Sequence, residues 1–246
     1  GNLISFGGFD LDTGILMDRL LILNKLSDYN DFIVITPVTS IAAFMDSPNN
    51  INNALGIDST IDINVTDPID KINDDVIFKY LYEKGNQLTV IAFSLQQNAI
   101  NSYKGSDEST EDYFKSISEE LEKAFNTESN IIDIESEEFL NSVVDNIISN
   151  KASDIDINRS NNIKSALNSV IPVIKVLNNS STTTAVQNFV FSTFQNDINA
   201  IATGNISPEI LEDLISNTLV YIAEDQGISP EDLGYSNSAP IITSSS

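Results

Sequence analysis

The segment Phe9-Asp10-Leu11-Asp12-Thr13-Gly14 has the residue types and spacing most suggestive of chemistry. Asp-x-Asp-x-Gly sets alternate carboxylates around a tight loop, as oxygen ligands do around Ca2+. Asp10 and Asp12 are the candidate calcium ligands, and Asp18 could reach in. The bidentate Glu that closes an EF-hand loop is missing. The competing reading is a plain turn in which the Asp side chains accept bonds from nearby backbone N–H groups. Asp12-Thr13-Gly14 is also the tripeptide of aspartic proteases, but those need two such carboxylates sharing a proton. The chain holds one copy. Ser153-Asp154-Ile155-Asp156-Ile157-Asn158 repeats the alternation, and there calcium competes with an interhelix loop ending in an N-cap.

Two carboxylate clusters come next: Glu119, Glu120 and Glu122, and Glu135, Glu137 and Glu138. Paired carboxylates can run glycoside hydrolysis. With 36 acidic residues, however, pairs at suitable distances arise by chance, and no pair stands out. The chain has no His and no Cys, which excludes thiol or imidazole nucleophiles, the Ser-His-Asp triad and zinc sites built on those ligands. No Gly-rich phosphate loop is present. The expectation is a protein that is not an enzyme and needs no cofactor, calcium being the one metal its oxygen ligands suit.

Charge narrows the partners. Twelve basic against 36 acidic residues give a net charge of −24 over 246 residues. Nucleic acid is excluded, because phosphate neutralisation requires clustered Lys and Arg. Anionic lipid is unsuitable for the same reason, and no apolar run approaches the roughly 20 residues that a membrane helix needs. An acid-rich, Lys-poor, Cys-free chain suits a saline, extracellular setting, where salt screens self-repulsion.

The elements that would position these residues follow from periodicity. In residues 1–35, Leu3–Phe6, Leu20–Leu23 and Phe32–Ile35 are short apolar runs separated by Gly- and Asp-rich turns, which reads as a small β element. From Thr36 the period becomes helical. Thr36-Pro37 starts one helix, Ser47-Pro48 a second that Gly56 ends, and Asp67-Pro68 marks a further turn. The longest stripe runs from Asp74 to Tyr103 through Val76, Ile77, Tyr80, Leu81, Leu88, Ile91, Ala92, Leu95 and Ile100. Gly85 and Asn86 interrupt it, so either another helix approaches closely there or the helix kinks. Further helices are expected from Thr110 to Phe125, from a Ser136 cap with Ile134 as staple to Asn150, and from Asn158 to Asn178 with a bend at Pro172. Others begin at Thr182, Ser207 and Ser229. Phe189, Phe191 and Phe194, like Tyr80 and Tyr82, read as core and boundary positions. The fold class expected is mainly α: an irregular multi-helix bundle over residues 36–234 after a small N-terminal β element, with 235–246 a linker. The start at Gly1 in mid-pattern suggests a piece of something longer.

The order of motifs resembles a known kind of module. Ile35-Thr36-Pro37-Val38-Thr39-Ser40-Ile41, Asn53-Ala54-Leu55-Gly56-Ile57, Thr66-Asp67-Pro68 and Tyr82-Glu83-Lys84-Gly85-Asn86-Gln87-Leu88 follow a β segment containing Gly7-Gly8 and Asp10-x-x-Thr13-Gly14. This resembles the helical module of very large secreted or cell-surface bacterial proteins, adhesin-like and related to hemolysin-type calcium-binding proteins. Asn237-Ser238-Ala239-Pro240-Ile241-Ile242-Thr243-Ser244 looks like the start of the cadherin-like repeat that such proteins carry in arrays. The resemblance covers residues 1–100 and the tail, and it rests on turns and caps. It implies a non-catalytic structural or interaction module linking β domains in a calcium-rich, repeat-built surface protein of marine or other bacteria, serving adhesion or spacing. Its implied partners are neighbouring domains of the same polypeptide and, beyond them, surface proteins or glycans. A ligand-binding head for carbohydrate or protein is the alternative, and a carboxylate hydrolase the third reading.

Overall fold

A computed structural model describes residues 3–6, 20–23, 33–72, 75–102, 110–128, 131–151 and 157–168, with 171, 220 and 229. Two short strands, β1 (Leu3–Phe6) and β2 (Leu20–Leu23), pair antiparallel with Leu3 opposite Leu23. Asp10, Asp12 and Asp18 lie outside the described residues, as do the 153–156 alternation, the Pro172 bend, the helices expected from Thr182 onward and the 235–246 linker. After β2 the regular structure of the described chain is all helical, with turns and irregular links between the helices. Its elements are α1 (Pro37–Ala42), α2 (Asn50–Leu55), α3 (Val76–Ser102), α4 (Thr110–Glu128), α5 (Glu137–Lys151) and α6 (Ile157–Asn168).

The caps explain most of the boundaries. Thr36 Oγ1 accepts from Thr39 N at 3.2 Å, and Thr39 Oγ1 accepts from Thr36 N at 2.8 Å. This reciprocal capping box, with Pro37 at the first helical position, starts α1. The second helix begins at Asn50, two residues after the expected Ser47-Pro48, and its Asn49 cap makes no side-chain bond. The free N–H groups of Asp46 and Ser47 instead donate to the two carboxylate oxygens of Glu122 on α4, at 3.0 and 3.1 Å. A distant acid thus ties the α1–α2 bend to the bundle. Ser136 Oγ accepts from Phe139 N at 3.2 Å, and the staple residue Ile134 is buried with Leu140.

Helices α3, α4, α5 and α6 each touch the next, and α6 returns against α3. The short α1 lies on α3 and α4, and α2 lies on α4. The core between them holds Val38, Ile41, Ile51, Leu55, Leu88, Ile91, Leu95, Tyr113, Ile117, Leu121, Leu140 and Val143. Of the expected α3 stripe, Leu81, Leu88, Ile91, Ala92 and Leu95 are buried, whereas Val76 is 77% exposed. Val76 is the first helical residue and lies ahead of the packed turns, so periodicity alone overran the core there.

Gly56 needs glycine, and Gly85 does not. α3 runs unbroken through Gly85, and a Cβ built there would meet Pro37 Cδ of α1 at 3.7 Å. That separation is ordinary van der Waals contact, so α1 packs against α3 at Gly85 without itself requiring glycine, and a methyl fits. Gly56 ends α2 with φ at 70°, and a Cβ there would meet Ile131 Cδ1 at 3.0 Å and the Tyr80 hydroxyl at 3.1 Å. Gly85→Ala should raise stability by about 0.5–1 kcal/mol, because it removes the helix penalty of glycine. Gly56→Ala should lower stability by about 1–3 kcal/mol, since strained left-handed backbone and crowding add. Urea unfolding of both variants checks the opposite signs.

Candidate functional site

Four polar residues, Glu83, Lys84, Asn86 and Gln87, cluster in the middle of α3. Buried helical positions must satisfy polar atoms within the protein, and for Lys84 and Gln87 the segment joining α4 to α5 does this. Asp133 Oδ1 accepts from Glu135 N at 3.0 Å, which shapes the turn. That turn aims the Glu135 carboxylate at α3. Gln87 Nε2 donates to Glu135 Oε1 at 2.6 Å, Lys84 Nζ donates to Gln87 Oε1 at 2.9 Å, and Lys84 lies 3.9 Å from Glu135. The ammonium also sits over the Tyr80 ring, 5.2 Å from its centre, while the Tyr80 hydroxyl donates to Leu55 O at 2.8 Å.

Burial sets the electrostatics. Gln87 has no exposed surface, and the Lys84 side chain keeps 11%. Burial pushes the Lys84 amine below its ordinary range, against the pull of Glu135, Glu83 and Asp133. Tyr80 is raised by burial first, then by Glu135 and Glu83. On the adjacent side of the helix Glu83 is 7% exposed, and burial pushes its carboxyl up to about 7, with Lys79 at 3.6 Å only partly offsetting this. Its Oε1 accepts no hydrogen bond.

The expected carboxylate clusters disperse. Glu119 faces Lys115 at 3.9 Å, Glu120 binds Lys123 and Asn146, and Glu122 holds the α1–α2 bend. Glu135 joins the α3 group, Glu137 accepts from Asn168 at 3.2 Å, and Glu138 is exposed. Among the described residues no three His, Cys, Asp or Glu side chains are grouped as for a metal. No helix among them is long and apolar enough to cross a membrane. The Glu83–Lys84–Gln87 group went unnoticed in the sequence, although polar residues interrupting an apolar stripe were its visible signal.

A second feature is a cleft of about 570 Å3 between α1, α2 and the 59–64 turn. Thr39, Asn49, Asn52, Ser59, Thr60, Asp62 and Asn64 supply its polar lining, with no aromatic ring among the lining residues. Asn52 Nδ2 donates to the carbonyls of Asp58 and Ile61, which fixes the turn against α2.

Compared with known proteins, the chain matches no family model, no curated protein and no solved structure.

The raised Glu83 carboxyl makes a pH-dependent prediction. Its folded value lies above its unfolded one, so the fold holds the proton more tightly. The burial penalty is absent below about pH 4.5, grows as pH rises, and is complete above about 7. Glu83→Gln should therefore add on the order of 2 kcal/mol at pH 8 and little at pH 4. Unfolding of wild type and variant at the two pH values measures the difference. An equal effect at both would contradict it.

Proposed function

We propose that the chain is a non-catalytic structural or interaction module of a large extracellular bacterial surface protein of the adhesin kind, joining β domains. The observation that carries this reading is how the acidic side chains are used. Asp58, Asp62, Asp67, Asp75 and Asp133 each accept a bond from the backbone N–H two residues on, and Glu122 holds a bend of the chain. Side chains committed to the protein's own backbone do architectural work. The acid-rich, Cys-free composition and the resemblance of the motifs to modules of such surface proteins supply the extracellular setting. Within this proposal the partners are neighbouring domains of the same polypeptide, then surface proteins or glycans, with neither nucleic acid nor membrane insertion. Calcium at Asp10 and Asp12 belongs to the same proposal.

The cleft beside α2 favours a second reading, a ligand-binding head, because hydroxyl and amide groups converge there. Its lack of aromatic lining makes it the weaker reading for a sugar.

Brief protease treatment of intact cells that express the parent polypeptide should release peptides from residues 36–234. An antibody against the chain should also label those cells without permeabilisation. Labelling only after permeabilisation would overturn the surface placement.

A further inference from the structure

We propose that Lys84 and Gln87 condense into an amide cross-link within α3, with Glu135 as the group that moves the protons. An amine, a primary amide and a carboxylate meet here, all largely removed from water. Nζ is 2.9 Å from the amide oxygen of Gln87, and the amide nitrogen is 2.6 Å from the carboxylate. Residues three apart share one face of a helix, which keeps the two side chains within reach of each other. Burial already moves the Lys84 amine toward its neutral, nucleophilic form. Holding a cation away from water is costly, and converting it to a neutral secondary amide removes that cost.

The step balances without any oxidant or co-reactant. The Lys84 ammonium, 3.9 Å from the Glu135 carboxylate, gives it one proton once the two close to hydrogen-bond distance, and the freed electron pair attacks Gln87 Cδ. The Nζ–Cδ bond forms. Glu135 then donates its proton to Nε2 as the Cδ–Nε2 bond breaks, and it accepts a second proton from Nζ. Ammonia leaves, and the product is a secondary amide. Glu135 touches the reacting amide, so it is the catalytic residue. The Tyr80 ring, packed over Nζ, is a positioning group. Because Gln87 has no exposed surface, water is kept from the new bond.

Intact-mass measurement on the whole purified chain, held at pH 8 for days, tests this. The expected species is lighter than the sequence mass by one ammonia. Its tryptic map should lack cleavage after Lys84, with fragment ions joining residues 84 and 87. Lys84→Arg and Glu135→Gln should each restore the sequence mass, and circular dichroism of both variants should retain the helical spectrum. Glu135→Asp should slow the mass loss without abolishing it. A wild-type chain that stays at the sequence mass would overturn the proposal. An ammonia loss that persists in Lys84→Arg would also overturn it, because that loss would arise elsewhere in the chain.

Discussion

Complete burial of the middle of α3 is the constraint on which the described structure depends. Gln87, Leu88, Thr89, Val90, Ile91 and Ala92 are consecutive, and none is more than 2% exposed. Six successive helical residues cover every direction around the axis, so this segment has protein on all sides. Each polar side chain on it then needs an internal partner. Thr89 and Ser94 return their hydroxyls to the carbonyls of Gly85 and Val90, at 2.8 and 2.7 Å. Gln87 cannot satisfy its amide that way, and it recruits Lys84 and Glu135. The polar group between α3 and the α4–α5 link follows from where α3 lies.

The same constraint orders the periphery. α1 crosses α3 beside Gly85, with Pro37 at van der Waals distance from where a Cβ would stand. α2 is short, and Gly56 turns the chain away from it near Tyr80 and Ile131. Ile132 N donates to Ala54 O at 2.8 Å, which fastens the α4–α5 link to the end of α2. A chain with net charge −24 also has to limit repulsion. It does so partly by using carboxylates as acceptors for turn N–H groups, where the negative charge is matched by backbone dipoles. Glu83 is the costly exception, because its burial lacks a hydrogen-bonding partner for one oxygen.

Much of the helical order was legible because caps and apolar spacing are local signals. Thr36-Pro37, Gly56 and Ser136 marked their boundaries correctly, and Leu81, Leu88 and Leu95 marked the buried face of α3. The start of α2 was misplaced because its bend is secured by Glu122, some 75 residues away in sequence, and no local rule reads such a contact. Val76 keeps the spacing of the stripe yet lies exposed, because a stripe does not show where its cover ends. The polar group on α3 stayed hidden because Lys84 and Gln87 acquire meaning only through Glu135. The carboxylate clusters misled in the opposite way: adjacency along a helix sends neighbouring side chains toward different partners.

Amide hydrogen exchange along α3 tests the central claim most directly. If residues 87–92 are enclosed on every side, their amides should open only with global unfolding and be the slowest among the described helices. Exchange at these amides as fast as at the exposed ends of α4 and α5 would contradict the account.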